Sequence, residues 1–195
     1  LLKNEKSFLA DQVNFSKVVV YNGDVPELTP LVLNGEMDFL THQFPAATLE
    51  TFVGMGYKTL QVAGVDGIAL YFNEAVAPFD SKEVRQAIAY IVDRAKVGEL
   101  ALPGVSRGTK YVSGLGDDMT ESWVDTSKLI DYSVDHAKAE SLLTAAGLTK
   151  KDGQWYKADG KQFTISLQCP ASWSDGSTAS AEIANQLTAF GIKTT

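Results

Sequence analysis

The sequence predicts an α/β fold, because strand-like and helix-like segments alternate along its 195 residues. In the strand-like segments apolar residues recur with a period of two, and in the helix-like segments they recur at i, i+3 and i+4. A glycine follows several of the helix-like segments, which is a frequent way for a helix to end. Since strands separated by helices of this length are joined by right-handed crossovers, we expect a largely parallel sheet.

The amino-terminal part of the chain predicts three short strands and two helices. The strands are expected at residues 15–21, 37–40 and 59–62, and the helices at residues 26–34 and 46–55. The residues expected to face inward from these helices are Leu28, Leu31, Val32, Leu49, Phe52 and Val53.

The stretch at residues 67–94 predicts a strand, a sharp corner and a helix. Ile68, Leu70 and Phe72 alternate with more polar or smaller neighbours, as in a strand with two distinct faces. Pro78 then ends any ladder, because proline has no N–H to donate.

The helix in this stretch has its own start signal and a single apolar face. Asp80 is a suitable N-cap, and Glu83 stands at the third helical position, as in a capping box. Burial contributes about 1.5–3 kcal/mol for each larger apolar side chain, so we expect this helix to be fixed to a core. Its apolar face consists of Val84, Ala87, Ile88, Ile91 and Val92.

The carboxyl-terminal part predicts further helices, a hairpin and one long irregular segment. In chain order we expect a short helix capped by Asp93, an irregular segment at residues 105–132, a helix capped by Asp135, strands at residues 155–156 and 163–169, and a helix at residues 177–190. Residues 158–160 are expected to turn the hairpin, and Cys169 is expected to be a buried, inert thiol on the second strand.

The central stretch resembles the signature of the peptide-type (family 5) extracellular solute-binding proteins of ABC importers. The matching residues are Asn73, Pro78, Phe79, Asp80, Val84, Arg85, Gln86, Ala87, Asp93 and Arg94. Two further segments, residues 34–40 and 133–147, are similar to segments of the same family, although His136 stands where proline is usual. The resemblance implies a fold like that of the type II periplasmic binding proteins.

The resemblance also implies how the chain is divided. Residues 1–63 would be the carboxyl-terminal part of lobe I, residues 64–67 a hinge crossing, and residues 68–195 the first, incomplete part of lobe II. The small residues around the proposed crossing suit a hinge, because glycine absorbs backbone rotation at low cost. A plain loop is the alternative for these residues.

Composition excludes several classes of protein. A net charge of -7 argues against a nucleic-acid or anionic-membrane partner. No apolar run approaches the roughly 20 residues of a membrane span, and the chain does not open with a signal peptide. A single cysteine excludes an intrachain disulfide and a cysteine-based metal site.

One catalytic motif is present. Gly104-Val105-Ser106-Arg107-Gly108 fits the G-x-S-x-G pattern of a serine esterase. That motif requires a strand before the serine and a helix after it, whereas here a helix end precedes it and no helix start follows. The two histidines lack a metal-binding pattern, and no nucleotide-binding motif occurs, so we expect no metal, cofactor or catalysis.

Binding residues are expected where strands end, because ligands lie at the carboxyl ends of parallel strands. This rule, together with exposed aromatic residues suited to a cleft, selects Thr41, His42, Gln43, Tyr71, Asn73, Trp123, Trp173, Ser174 and Asp175. The last three also lead into a helix start, which favours a ligand carboxylate. In the resembling proteins this corner and the residues after the strand at 37–40 lie beside the ligand.

Several of these residues have a plainer interpretation. His42 can be a surface histidine, and Asn73 can simply cap a turn. Tyr71 fits a core as well as a cleft, and Trp123 can anchor the long irregular segment.

The resemblance implies an extracellular or periplasmic protein that closes around a peptide or related small solute and delivers it to ABC permease subunits. Attachment to the membrane would be through a lipid anchor outside this chain. An oligosaccharide is the alternative ligand, because Tyr71, Tyr111, Trp123 and Trp173 suit sugar stacking. Two different functions stay open beside transport: serine esterase chemistry, and an adhesion or chaperone role with a protein partner.

Overall fold

The computed structural model describes residues 1–23, 25–42, 44–60 and 67–195. The chain divides into two compact units, Leu1–His42 and Gln43–Thr195. The predicted hinge crossing at residues 64–67 lies outside the described residues except for Gly67. No helix in the described ranges is both long and apolar enough to cross a membrane.

The unit Leu1–His42 contains helix α1 (Val25–Leu33) and a 3-10 turn at Ala10–Gln12. Helix α1 is confirmed within one residue at each end, and Leu28 and Val32 are buried on it as predicted. Its end is a Schellman motif, with Gly35 at a φ of 72°. The N–H of Gly35 donates to Val32 at 3.0 Å, as this motif requires.

The strands predicted at residues 15–21 and 37–40 are wrong. Within the described part of this unit, β-pairing is limited to one antiparallel bridge between Leu2 and Lys17. Val20 is 72% exposed, so its apolar side chain packs on no neighbouring strand. An alternating sequence becomes a strand only where a second strand supplies hydrogen-bond partners, and the pattern itself does not reveal that partner.

The unit Gln43–Thr195 is built on packed helices. They are α2 (Ala46–Gly54), α3 (Lys82–Ile91), α4 (Arg94–Ala101), α5 (Asp117–Trp123), α6 (His136–Ala145) and α7 (Ser174–Ala189). Helix α3 packs against α6 and α7, and α4 packs against α7. The core between them holds the predicted face of α3 together with Leu143, Trp155, Phe163, Leu187 and Ile192.

The start of α3 differs by one residue from the prediction. Ser81, and not Asp80, is the N-cap: its hydroxyl accepts the N–H of Val84 at 3.3 Å. The same hydroxyl donates to the Glu83 carboxylate at 2.8 Å, which lowers the pKa of Glu83. Asp80 instead accepts the N–H of Ser81 at 3.1 Å. Both residue types cap helices well, so sequence alone could not choose between adjacent candidates.

The strands of this unit form two short pairs. Strand β1 (Thr149–Lys151) runs antiparallel to β2 (Gln154–Tyr156), and β3 (Thr164–Ile165) runs parallel to β4 (Lys193–Thr194). The hairpin predicted across residues 158–160 is reduced to a single bridge between Tyr156 and Gln162. The α/β class is therefore confirmed, but the described residues form no continuous, largely parallel sheet.

The segment at residues 67–73 shows why the strand prediction was half right. Leu70 and Phe72 are half-buried against the core, while Ile68 is half-exposed and Tyr71 is 89% exposed. The alternation between two faces is present. No ladder forms among the described residues, because no second strand lies beside this segment.

Candidate functional site

The corner that leads into α7 is the predicted site region with the most defined geometry. Trp173 occupies the N-cap position, is 60% exposed, and donates its N–H to Pro170 at 3.1 Å. The next turn approaches the preceding segment closely: a Cβ on Gly176 would lie 2.7 Å from the Cys169 sulfur. A larger residue at position 176 would therefore require the Cys169 side chain to move, and the first turn of α7, with Ser174 and Asp175, packs closely on this segment.

An open pocket of about 370 Å³ lies between the first turns of α7 and the end of α4. Ser174 and Asp175, both predicted from the sequence, line it together with Thr178. The other lining residues come from the end of α4 and the turn after it, and from the segment before α2. They are Glu99, Leu100, Ala101, Pro103, Phe44 and Pro45.

The charges around this pocket are negative. The Asp175 carboxylate accepts the N–H of Gly176 at 2.8 Å, so the helix start already holds an anion of its own. Glu99 adds a second carboxylate, and no lysine or arginine is among the lining residues that the structure describes. This arrangement suits a neutral or positively charged group better than the ligand carboxylate expected from the sequence.

A partly buried polar network connects α7 to α4, the two helices on either side of the pocket. The Glu182 carboxylate on α7 accepts a hydrogen bond from Gln186 at 2.8 Å and pairs with Lys96 of α4 at 3.1 Å. These contacts, with the Gln186 hydrogen bond as the larger cause, lower the pKa of Glu182. Gln186 also accepts the N–H of Asp93 at 2.7 Å. Helix α7 is therefore tied to α4 at two points.

Tyr71, Asn73, Trp123 and Trp173, which belong to the same unit as this pocket, are not among its lining residues. Tyr71 is 89% exposed, and Trp123 is 81% exposed at the end of α5. Asn73 accepts the N–H of Ala75 at 3.2 Å, which is the turn-capping role that the sequence left open. Thr41 and His42 are exposed residues of the unit Leu1–His42, and Gln43 lies outside the described residues.

Sequence reasoning missed the α4 side of the pocket. Glu99 belongs to a helix of ordinary composition and carries no motif. Its one signal is its place in the last turn before Pro103, which indicates a helix end but no ligand.

The G-x-S-x-G segment packs against α4 instead of forming a nucleophile elbow. A Cβ on Gly98 would lie 2.7 Å from the Ser106 hydroxyl oxygen, and one on Gly108 would lie 2.3 Å from the backbone nitrogen of Ala95. Helix α4 precedes Ser106, and in the described structure no strand leads into it. Of the two glycines of this motif, Gly108 is explained by close packing and Gly104 by its positive φ of 76°.

Comparison with known proteins identifies the family. The family described as "Bacterial extracellular solute-binding proteins, family 5 Middle" matches residues 1–195. The chain belongs to this family. The resemblance carried by residues 73–94 is therefore confirmed.

Solved structures show that this family 5 chain has the fold of the type II periplasmic binding proteins. The oligopeptide-binding protein AppA from Bacillus subtilis, in complex with a nonapeptide, is similar with a TM-score of 0.71 and 20% identity. A periplasmic oligopeptide-binding protein from Thermotoga maritima, with mannohexaose bound, is similar with a TM-score of 0.64 and 20% identity. Each match covers 88% of this chain.

A curated relative is similar over a shorter stretch. Heme-binding protein A from Haemophilus influenzae is 34% identical over 90 residues, which are 46% of this chain and 16% of that protein. The matches to AppA and to the Thermotoga protein cover 34% and 33% of those chains. This family 5 chain therefore spans about a third of the solved structures that it resembles.

Proposed function

We propose that the protein containing this chain is the substrate-binding component of an ABC importer. Membership of the family of extracellular solute-binding proteins, over the whole length of the chain, is the observation that carries this proposal. The protein would bind a peptide or a related small solute outside the cytoplasm and deliver it to the permease subunits. It would be held at the cell envelope by a lipid anchor outside this chain, and it would not be an enzyme.

The proposed mechanism is closure of two lobes around the solute. Residues 1–63 would belong to lobe I and residues 68–195 to lobe II, with residues 64–67 between them. A solute that contacts both lobes favours the closed state by the difference between its affinities for the two states. Thr41, His42 and Gln43 would supply contacts from one lobe, and Ser174 and Asp175 would supply contacts from the other.

The solute class is proposed from the charges of the pocket between the start of α7 and the end of α4, called the α7 pocket below. AppA holds a nonapeptide and the Thermotoga protein holds mannohexaose, so this fold accepts chemically different solutes. Two carboxylates at the pocket favour a peptide with a positively charged group, such as its amino terminus or a lysine side chain. An oligosaccharide is the second candidate, because exposed Tyr71, Trp123 and Trp173 offer flat surfaces for sugar rings.

A thermal-shift panel on the full-length protein tests this proposal. The probes are a lysine-containing nonapeptide, mannohexaose and haem, with free lysine as a control for charge alone. We expect the nonapeptide to raise the melting temperature, since a ligand at 100 times its Kd adds about 2.7 kcal/mol to the free energy of unfolding. A protein that none of these probes stabilises would contradict the proposal. Hydrolysis of an ester substrate that is lost in Ser106→Ala would support the esterase instead.

A further inference from the structure

The connection between α4 and α6 includes a loop whose two ends are hydrogen-bonded to each other and which carries Trp123. It covers residues 109–132 and contains α5 and a 3-10 turn at Thr126–Lys128. Its two ends lie side by side, because the N–H of Tyr132 donates to the carbonyl of Lys110 at 2.8 Å. Connecting segments at the protein surface often carry binding residues.

Polar contacts order the inside of this loop. The Asp117 carboxylate accepts the N–H groups of Lys110 at 3.0 Å and Tyr111 at 3.4 Å. The hydroxyls of Ser113 and the fully buried Thr120 meet at 2.6 Å. The loop is therefore an ordered element, although it has few regular hydrogen bonds of helix or sheet.

The outer surface of the loop exposes large apolar side chains among charged ones. Trp123 is 81% exposed and Val112 is 72% exposed. The loop thus presents a large aromatic side chain from a base that is held by polar contacts.

Arg94 closes the base of the loop. Its guanidinium donates to the carbonyls of Thr109 and Tyr132, which are the first and last residues of the loop. A third hydrogen bond, 2.8 Å long, reaches the carbonyl of Ala89 in α3. Burial lowers the pKa of Arg94, but a guanidinium stays charged in proteins, so the three carbonyls keep a cationic donor.

Asp93, the residue before Arg94, connects the junction of α3 and α4 to α7. The Asp93 carboxylate caps α4 by accepting the N–H of Lys96 at 3.1 Å, and its backbone N–H donates to Gln186 of α7. The junction between α3 and α4 therefore contacts both the loop with Trp123 and the helix with Ser174 and Asp175.

We propose that Arg94 is a positioning residue for Trp123, one of the exposed aromatic residues proposed above to contact the solute, and that it acts by holding both ends of the loop so that Trp123 is presented at one place. This inference rests on the proposed function, since the position of Trp123 affects affinity only if a solute is bound. Lysine cannot replace Arg94 here. A guanidinium offers five N–H donors from three nitrogens in a planar fork, whereas the three N–H donors of an ammonium group all leave one nitrogen.

The experiment compares Arg94→Lys with Arg107→Lys in the full-length protein. Arg107 has a side chain that is 72% exposed and pairs with Asp118, so its replacement by lysine is a matched control. The first measurement is the rate of tryptic cleavage after Lys128 in the loop, divided by the rate after Lys161 outside it; both side chains are about equally exposed, at 81% and 79%. The ratio removes any effect of general loss of stability.

We expect Arg94→Lys to raise this cleavage ratio several-fold and Arg107→Lys to leave it unchanged. An unchanged ratio in Arg94→Lys would overturn the role of Arg94 at the base of the loop.

The second measurement is the affinity for whichever probe of the panel binds the wild-type protein. We expect Arg94→Lys and Trp123→Ala each to weaken it by about tenfold, and the double variant to be no weaker than Trp123→Ala alone, because coupled residues are not additive. Independent, additive losses would overturn the positioning role, as would an unchanged affinity in Arg94→Lys. A wild-type protein that binds no probe would contradict the proposed function itself, which is a separate result.

Discussion

The unit Leu1–His42 and the helical region at residues 82–192 differ in how much apolar surface they bury. In the helical region Val84, Trp155 and Phe163 are at most 1% exposed. In the strand-like segments of the amino-terminal unit Val20 is 72% exposed and Phe39 is 80% exposed, although both are apolar residues. The comparison teaches that helices with their own caps and apolar faces can bury their side chains against one another. Strand-like segments that have no partner strand leave their apolar side chains exposed.

The largest expected difference between the two regions comes from placing a charge on an apolar residue of each. Ile88→Asp puts a carboxylate at a position that is 1% exposed, and Phe8→Asp puts one at a position that is 92% exposed. We expect Ile88→Asp to lower the free energy of unfolding by at least about 4 kcal/mol, and Phe8→Asp by no more than about 0.5 kcal/mol. Urea unfolding followed by circular dichroism measures both. Equal losses of unfolding free energy in the two variants would contradict the claim that the two regions differ in how much apolar surface they bury.

A second pair of variants compares the glycines that end α7 and α1. Both have positive φ, at 100° for Gly191 and 72° for Gly35, but a Cβ on Gly191 would lie 2.0 Å from the carbonyl oxygen of Gly153, while nothing lies within 4 Å at Gly35. We expect Gly35→Ala to cost about 1 kcal/mol and Gly191→Ala about 2–4 kcal/mol, since overpacking adds to the backbone strain. Thermal unfolding of the two variants provides the comparison. A larger loss for Gly35→Ala would show that the crowding at Gly191 is relieved without cost.

A third pair tests the corrected start of α3. Ser81 accepts the N–H of Val84, so we expect Ser81→Ala to lower the free energy of unfolding by about 1 kcal/mol. Asp80→Ala leaves that hydrogen bond intact, and we expect it to cost less than half as much. The midpoints of urea unfolding decide between them, and the reverse order would restore Asp80 as the cap.

An effect of similar size is expected for the pH dependence of the contact between α4 and α7 through Glu182. Because the pKa of Glu182 is lowered in the folded protein, its contribution to stability is present above the ordinary value of 4.5 and is lost as the pH falls through the lower, folded value. We expect Glu182→Gln to be about 1 kcal/mol less stable than the wild type at pH 7, with the difference shrinking below pH 4. Unfolding at several pH values measures this. A difference that grows in acid would contradict the assigned direction.

Helices were predictable because their signals lie within a few residues of one another. Asp93 and Asp135 cap α4 and α6 as expected, through hydrogen bonds to Lys96 and Lys138. Gly191 ends α7, where the N–H of Ile192 donates to Leu187 at 2.9 Å in a Schellman motif. These contacts span at most five residues, so the sequence contains both partners.

Strands and short helices were less predictable for a physical reason. The segments at residues 15–21 and 37–40 have β-forming patterns, but a ladder depends on a partner that the pattern does not specify. Helix α5 was missed because its seven residues carry no apolar face and its N-cap, Gly116, has no side chain to signal it.

The candidate site was partly predictable from the position of strand ends. That rule selected Ser174 and Asp175, which line the α7 pocket, while their role in ligand binding stays a prediction. Glu99 could not be found, because its approach to Asp175 depends on the packing of α4 against α7 and not on local sequence. The role of Asn73 as a turn cap could be predicted from the sequence, because its side chain accepts the N–H of Ala75, only two residues later.

The most direct test of the account is the affinity of the full-length protein for the solute that binds best in the panel, measured by isothermal titration calorimetry for Asp175→Asn and Asp159→Asn. Both variants remove one negative charge, and the asparagine oxygen at position 175 can still accept the N–H of Gly176. We expect Asp175→Asn to weaken binding by about tenfold or more with an unchanged melting temperature, and Asp159→Asn, in the exposed turn at residues 158–160, to bind like the wild type. Equal affinities for the two variants and the wild type would contradict the claim that the start of α7 forms the binding site.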